Sequence, residues 1–139
     1  MAAWFLFALA SLFFFTAITL IQKHLLNLGI TPMTFGLYLM GFSFLAFIIA
    51  TFIFKQQLTI PSSWIFWLII LGVLSLGGTL TAAYSFQQAP NPSYTQAIIA
   101  ADAVTVLIGS ILIFNSEFTW LKVLGVALTI IGVIIIGIK

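Results

Sequence analysis

Long apolar runs follow one another through almost the whole chain, and each has about the length of a membrane-spanning helix. Charged residues make up only 4% of the 139 residues, whereas about 25% is typical of soluble proteins. A soluble domain with so few charges could not keep its surface hydrated, so lipid must be the solvent for most of the chain. We therefore predict an all-α integral membrane protein.

Short segments of polar residues divide the chain into five predicted transmembrane spans. A helix needs about 20 residues to cross the hydrocarbon layer. The predicted spans are residues 3–21, 32–54, 62–86, 92–114 and 119–138. Asn91 and Pro92 are expected to form the N-cap and the first position of the fourth helix. Because no interval is long enough for an extramembrane domain, residues 1–139 are expected to form a single transmembrane domain.

The scarce residue types argue against several classes of function. The chain has no cysteine and a single histidine, His24, so neither a disulfide nor a metal-binding cluster is expected. Its four lysines are too few and too scattered for a nucleic-acid-binding surface. No pairing of a nucleophile with a base is visible in the sequence. We therefore expect no enzyme activity, no cofactor, no metal and no nucleic-acid partner.

The distribution of lysines leaves the orientation in the membrane open. Five spans put the termini on opposite sides, with Lys55 and Lys122 on the side of the N-terminus and Lys23 and Lys139 on the other. The lysine bias that normally selects one orientation is therefore almost absent. Either a weak preference still selects one orientation, or the chain inserts in both orientations and pairs with its inverted copy.

Asp102 is the acidic residue that most needs an explanation, because it lies inside the fourth predicted span. It is about ten residues, or roughly 15 Å, from the start of that helix, which is close to the bilayer midplane. Placing an aspartate at the centre of a membrane helix costs about 2.5 to 3.5 kcal/mol on insertion scales. The other acidic residue, Glu117, precedes the fifth span and is expected to be a solvated interfacial charge.

The predicted helix face around Asp102 is polar or small. At 100° per residue, Asn91, Thr95, Thr105 and Gly109 project within about 60° of Asp102. The threonine hydroxyls could donate hydrogen bonds to its carboxylate, and the glycine would permit close approach of a neighbouring helix. The opposite face is apolar and contains Ala97, Ala100, Val104, Ile108 and Ile111. We predict that the polar stripe faces a protein or water-filled interior.

Three roles are open for Asp102. A carboxyl group removed from water without a cationic partner favours its protonated form, and it could exchange that proton for a cationic substrate. Alternatively, a permanently protonated carboxyl group could hydrogen-bond another helix, or an ionised carboxylate could line a wet cavity as a fixed charge. Acids inside membrane spans are functional by default, which favours substrate or proton binding.

Small residues form stripes on two other spans. The stripe of the third span is Gly72, Ser75, Thr79 and Ala82, and that of the fifth is Gly125, Thr129 and Gly132. Small residues let membrane helices approach closely. Packing within the chain is expected for the third span, whereas the fifth is compatible with internal packing or with a dimer seam. Thr79 and Tyr84 also add polar groups that could converge with the fourth span on one site.

Three segments together resemble the drug/metabolite transporter superfamily, and specifically one EamA-like domain. The segment IQKHLLNLGITPMTFGLYLMGFSFL, in which a lysine precedes Gly-x-x-Pro, resembles the end of the family's first helix together with its second helix. Its junction of the third and fourth helices resembles APNPSYTQAI. Its acidic loop and glycine-bearing last helix resemble SEFTWLKVLGVALTIIGVIII. The resemblance covers essentially the whole chain and rests on turn and packing patterns.

The resemblance implies one half of a transporter. Most familiar EamA-like proteins carry two such domains in one chain, so a single domain implies a homodimer. The similar but shorter small multidrug resistance proteins work as dimers, some of them antiparallel, with a membrane-embedded glutamate in the first helix. The first span here has no acidic residue, so Asp102 corresponds to that glutamate by chemistry and not by position.

These observations predict a secondary transporter in the cell's inner or plasma membrane. Alternating access by a homodimer, antiparallel in the preferred arrangement, would exchange protons for a small cationic or zwitterionic organic solute, and the resemblance favours export. The predicted substrate and proton site is Asp102, Thr95, Thr105, Asn91, Tyr84 and Thr79. The alternatives are a flippase for lipid-linked substrates and a non-transporting membrane subunit.

Overall fold

The computed structural model describes residues 3–114 and 119–137, and all regular secondary structure in these ranges is α-helical. The helices are α1 (Ala3–Asn27), α2 (Pro32–Ile53), α3 (Ser62–Gln88), α4 (Pro92–Ala100), α5 (Asp102–Phe114) and α6 (Trp120–Gly137). The predicted all-α fold is therefore confirmed. Glu117, predicted to be interfacial, and Lys139, part of the predicted charge balance, lie outside the described residues.

Four helical stretches in the described part of the chain are long and apolar enough to cross a membrane. They are Phe5–Asn27, Pro32–Ile53, Ser62–Gln88 and Pro92–Ile113, the last of which combines α4 with most of α5. The fifth stretch, α6, has 18 residues around the apolar segment Val123–Ile135. At 1.5 Å per residue α6 is about 27 Å long, close to the thickness of the hydrocarbon layer. The five stretches correspond to the five predicted spans.

The chain divides into two compact units, Met1–Gln88 and Ala89–Lys139. In the first unit, α3 packs against both α1 and α2, which also touch each other. In the second unit, α6 packs mainly against α4, and α5 contacts both. Large apolar side chains are exposed along helices of both units, as expected of surfaces that meet lipid.

The first helix continues six residues beyond the predicted end of its span at residue 21. It ends instead in a glycine-capped turn, in which the Gly29 N–H donates to the Leu26 oxygen at 3.1 Å and the Ile30 N–H to the Leu25 oxygen at 3.4 Å. This is the Schellman pattern, and Gly29 occupies its left-handed position with φ 98°. Lys23 lies within this extension, where a cationic side chain near the end of a helix is favoured, and α1 stops only at the glycine.

The buried core of the first unit lies where α1 ends, α2 begins and α3 ends. Leu26, Phe35, Ala83 and Phe86 are buried together. The Schellman turn contributes to the same cluster, because Leu25 and Ile30 pack against it. Burial of apolar side chains therefore fixes this end of the three helices.

Gly36 lies at a contact between α2 and α3. A Cβ atom added to Gly36 would lie 3.7 Å from both the Thr79 Cγ2 and the Leu80 Cδ2 atoms. By contrast, a Cβ atom on Gly72 would meet no described atom within 4 Å. The two helices are thus in contact at Gly36, whereas the surroundings of Gly72 are open. The small-residue stripe of α3 was expected to pack within the chain, and Thr79, at one end of this stripe, does contact α2 at Gly36.

Candidate functional site

Asp102 begins α5 at an irregular turn inside the fourth span. Between α4 and α5 lies Ala101, whose N–H donates to the Ile98 oxygen at 3.1 Å. The Val104 N–H likewise donates to the Ala101 oxygen at 3.0 Å. These bonds join residues three apart, as in a 3₁₀ turn, instead of four apart. The fourth span, predicted over residues 92–114, therefore contains an irregular turn at Ala101.

The side chains of Asp102 and Thr105 explain why the α-helix restarts here. The Thr105 hydroxyl donates to the main-chain oxygen of Asp102 at 2.8 Å, and such back-bonding bends helices. This bond replaces the one expected from Thr105 to the Asp102 carboxylate. A carboxylate is also favoured in the first turn of a helix, near the positive end of its dipole. Both residues therefore favour a helix start at position 102.

Asp102 lies on a face of α5 that is exposed in the described part of the chain. Asp102, Thr105 and Val106 are exposed, whereas Val104 and Leu107 are partly covered. No hydrogen bond to the carboxylate comes from the residues that the structure describes. Within a bilayer, such a face must meet lipid, water or another protein, and only the last two could satisfy a carboxyl group.

The residues predicted to share the face of Asp102 differ in exposure. Thr95 is buried, Gly109 is partly covered, and Asn91 and Thr105 are exposed. The prediction assumed a constant 100° between successive residues, but a 3₁₀ turn advances by a larger angle. The turn at Ala101 therefore adds a small rotation between the residues of α4 and those of α5, and whether they share one face stays a prediction.

Asn91 caps α4 as the sequence predicts. Its side-chain oxygen accepts hydrogen bonds from the Ser93 N–H and the Ser93 hydroxyl, both at 2.9 Å. Pro92 occupies the first turn of the helix, where its missing N–H leaves no bond unmade. The cap uses the side-chain oxygen of Asn91. A contribution of Asn91 to substrate binding would therefore come from its side-chain NH₂ group.

Thr79 and Tyr84 lie on α3 in the first unit, whereas the other predicted site residues lie in the second. Thr79 is partly covered and directs its methyl group toward Gly36 of α2. Tyr84 is exposed. Convergence of these two residues with Asp102 on one site stays a prediction.

The small-residue stripe of α6 makes no close contact with the described part of the chain. A Cβ atom added to Gly125 or to Gly132 would meet no described atom within 4 Å. The Thr129 hydroxyl donates to the Gly125 oxygen at 3.1 Å, within the helix itself. Use of this stripe as a dimer seam stays a prediction.

Two structural features, one in each compact unit, escaped sequence reasoning. The first is the irregular turn at Ala101, for which the pairing of Asp102 with Thr105 three residues later was the available signal. The second is a cleft between α2 and α3, lined in part by Gly72, Ser75 and Thr79. The small-residue stripe suggested only close packing there, because residue spacing gives no information on where two helices diverge.

Comparison with known protein families identifies the family of the chain. The model of the EamA-like transporter family matches residues 2–138, and this match spans both compact units. No curated protein and no solved structure matches the chain. The match covers nearly the full sequence and agrees with five apolar helical stretches. The chain therefore belongs to the EamA-like transporter family of the drug/metabolite transporter superfamily, and it is a multi-pass membrane transporter of that type.

Proposed function

We propose that this protein is a secondary transporter in the cell's inner or plasma membrane, where it exchanges protons for a small cationic or zwitterionic organic solute and exports that solute. Asp102 binds the proton and the solute in turn. Alternating access by a homodimer carries each of them across the membrane.

The observation that carries the proposal is the position of Asp102. A carboxyl group in the middle of an apolar span, exposed and without a hydrogen-bond donor among the described residues, is costly unless a ligand, water or a partner meets it. One carboxylate can hold a proton or a cation but not both at once. Competition between the two at a single group couples their movements.

The irregular turn at Ala101 supports the same proposal. Transporters commonly bind ions and substrates where a membrane helix is discontinuous, because the interrupted backbone there offers polar groups and can bend. The 3₁₀ bonds at Ala101 and Val104 adjoin the carboxyl group directly. Binding at Asp102 can therefore bias a bend in the fourth span.

A second copy of the chain would complete the site. The uncovered face that includes Asp102, Thr105 and Val106 is suited to meet a partner across a wet cavity. In the proposed dimer, Asn91, Thr95, Thr79 and Tyr84 would contribute further polar groups. The balanced lysines, two on each predicted side, favour an antiparallel pair.

The coupling is tested in proteoliposomes with an acidic lumen. Tetraethylammonium is the first probe, because its permanent charge prevents it from collapsing a pH gradient by crossing the bilayer as a free base. We expect its external addition to drive proton efflux, read with a pH-sensitive dye. Asp102→Asn should abolish the efflux, and Asp102→Glu should retain part of it.

Glu117→Gln is the matched control, since it makes the same chemical change at the only other acidic residue of the chain. It should leave proton efflux unchanged. Unchanged efflux in Asp102→Asn would refute the proposal that Asp102 couples the two fluxes.

The antiparallel arrangement is tested with two reporters at the C-terminus, one active only inside the cell and one only outside. Signals from both reporters are expected, and adding two lysines beside Lys55 should shift the ratio toward one orientation. A signal from one reporter alone would rule out the antiparallel homodimer and leave the coupling proposal standing.

A further inference from the structure

Asp102 offers the Thr105 hydroxyl two kinds of acceptor, its main-chain oxygen and its carboxylate. In the structure the hydroxyl donates to the main-chain oxygen at 2.8 Å. Residues three apart on a helix are neighbours on its surface, so rotation of the side chains brings the same hydroxyl within reach of the carboxylate. A threonine hydroxyl has a single hydrogen to donate. The two acceptors therefore compete for one hydrogen bond.

This competition belongs to Thr105 alone among the serines and threonines of the chain. Asp102 and Thr105 are the one pair in the sequence in which an acidic residue lies three or four positions from a serine or threonine. For comparison, the hydroxyls of Thr16, Thr51 and Thr129 donate to the main-chain oxygens four residues earlier. None of these three has a carboxylate nearby on its helix face, so their bonds do not depend on charge.

We propose that Thr105 is a positioning residue that couples the charge of Asp102 to the shape of the fourth span, an inference that rests on the proposed exchange at Asp102. While Asp102 is protonated, the hydroxyl donates to the main-chain oxygen. An ionised carboxylate is the stronger acceptor, because hydrogen bonds to charged groups are roughly twice as strong as neutral ones. The hydroxyl then turns to the carboxylate. The proton of Asp102 leaves to water, and Thr105 keeps its own.

The change of acceptor acts on the irregular turn, because the Thr105 bond adjoins it. A hydroxyl bonded to an earlier main-chain oxygen bends a helix. At the turn, the Val104 N–H donates to the Ala101 oxygen at 3.0 Å, and Ala101 has ψ −8°, whereas about −42° is typical of an α-helix. Release of the Asp102 main-chain oxygen removes the bending bond. The fourth span should therefore be straighter when Asp102 is ionised.

Asp102 is the group whose charge can change at this turn. Among the side chains that the structure describes in α4, α5 and α6, the ionisable ones are Asp102 and Tyr94. Tyr94 lies eight residues before Asp102, roughly 12 Å along the helix, and a phenol carries no charge at physiological pH. A pH-dependent change of shape in the fourth span is therefore assigned to the carboxyl group.

The shape is tested by pulsed spin–spin distance measurements between labels at the two ends of the fourth span. Because the full chain has no cysteine, Tyr94→Cys and Leu112→Cys, both at exposed positions, carry the labels without background. Labelled chains are reconstituted into liposomes with an excess of unlabelled chain, so that distances between copies do not contribute. We expect the distance to be longer at alkaline than at acidic pH.

Substitutions of the two partners should fix the distance in opposite ways. Asp102→Asn cannot ionise and should keep the short, acidic distance at every pH. Thr105→Val preserves the shape of the side chain but removes the bending bond, so it should keep the long, alkaline distance at every pH. Thr105→Ser retains the hydroxyl and should retain the pH dependence. Thr16→Val is the matched control, because it removes a hydroxyl bonded within its own helix and should leave the pH dependence unchanged.

The proton-efflux assay with tetraethylammonium separates positioning from direct contact with the solute. Thr105→Val should lower the maximum rate by about tenfold, since one hydrogen bond to a charged group is lost. The half-saturating concentration of tetraethylammonium should stay close to that of the unmodified chain. Thr105→Ser should restore most of the rate.

Three results would overturn the inference. They are a distance that does not depend on pH in the unmodified chain, an unaltered pH dependence in Thr105→Val, and a Thr105→Val variant that changes only the half-saturating concentration. The last result would assign Thr105 to solute binding. Failure of the proposed function gives a different result, because proton efflux that persists in Asp102→Asn would refute exchange at this carboxyl group even where the distance follows its charge.

Discussion

The ammonium group of Lys23 donates a hydrogen bond of 2.8 Å to the main-chain oxygen of Phe86, and its nitrogen lies 3.5 Å from the Gln87 oxygen. These carbonyls belong to the last turn of α3, where main-chain oxygens lack partners within the helix and the dipole is negative. Lys23 on α1 therefore caps a second helix. The bond also places the C-terminal ends of α1 and α3 side by side, next to the buried core of the first unit.

Replacing Lys23 with methionine should destabilise the first unit. Methionine keeps most of the apolar stem but leaves the terminal carbonyls of α3 without this donor, at a cost of about 1 kcal/mol. Lys23→Arg keeps the charge and should keep most of the stability. The measurement is unfolding in mixed micelles with increasing sodium dodecyl sulfate, followed by circular dichroism. Equal stability of Lys23→Met and the unmodified protein would contradict the capping role.

Lys55 occupies a conformation that favours glycine. It follows α2 with φ 51°, in a turn where the Lys55 N–H donates to the Phe52 oxygen at 3.4 Å and the Gln56 N–H to the Thr51 oxygen at 3.1 Å. The left-handed position of such a turn costs a residue with a Cβ atom about 1 kcal/mol. Lys55→Gly should therefore be about 1 kcal/mol more stable than Lys55→Ala in the same unfolding measurement. Both variants remove the charge, so a difference of zero would argue against strain at this position.

Gly36 should accept a methyl group but not a larger side chain. Its added Cβ atom would make ordinary contacts of 3.7 Å with Thr79 and Leu80, so Gly36→Ala should leave stability unchanged or raise it by up to about 1 kcal/mol through helix propensity. Gly36→Leu must push α2 and α3 apart and should cost about 1 to 3 kcal/mol. Gly41→Leu, on the same helix with open surroundings, should cost little. Comparable losses in the two leucine variants would show that the α2–α3 contact is not the cause.

The face of α5 that includes Asp102 should meet a second copy of the chain. Because the protein has no cysteine, single cysteines report on proximity without background. Val106→Cys, on the exposed face, should form disulfide-linked dimers in oxidised membranes, whereas Leu107→Cys, on the partly covered face, should not. Cross-linking of both variants to the same extent, or of neither, would count against a dimer interface at this face.

Most of the fold follows from hydropathy and turn chemistry. Five apolar stretches of sufficient length, together with Asn91 and Pro92 at the start of α4, required no knowledge of tertiary contacts. The helix α1 continues six residues beyond the predicted first span, and this extension contains Lys23. Its side chain binds the end of α3, a contact between residues far apart in sequence that no local pattern reveals.

The candidate site was less predictable than the fold. The importance of Asp102 follows from its depth in an apolar span, which its position in the sequence reveals. The irregular turn next to Asp102 depends on which oxygen accepts the hydrogen bond from the Thr105 hydroxyl. In the structure the acceptor is the main-chain oxygen of Asp102 and not its carboxylate. The cleft between α2 and α3 depends on how the two helices pack against each other, which the spacing of residues in the sequence does not reveal.

Proton release on solute binding tests the central role of Asp102 most directly. Tetraethylammonium, followed by a panel of other quaternary ammonium ions, is added to the purified protein in weakly buffered detergent solution while the pH is recorded. Displacement of the Asp102 proton by a cation predicts acidification by up to one proton per bound cation in the unmodified protein, and none in Asp102→Asn. Equal acidification in Asp102→Asn, or cation binding without acidification in the unmodified protein, would contradict exchange at this carboxyl group.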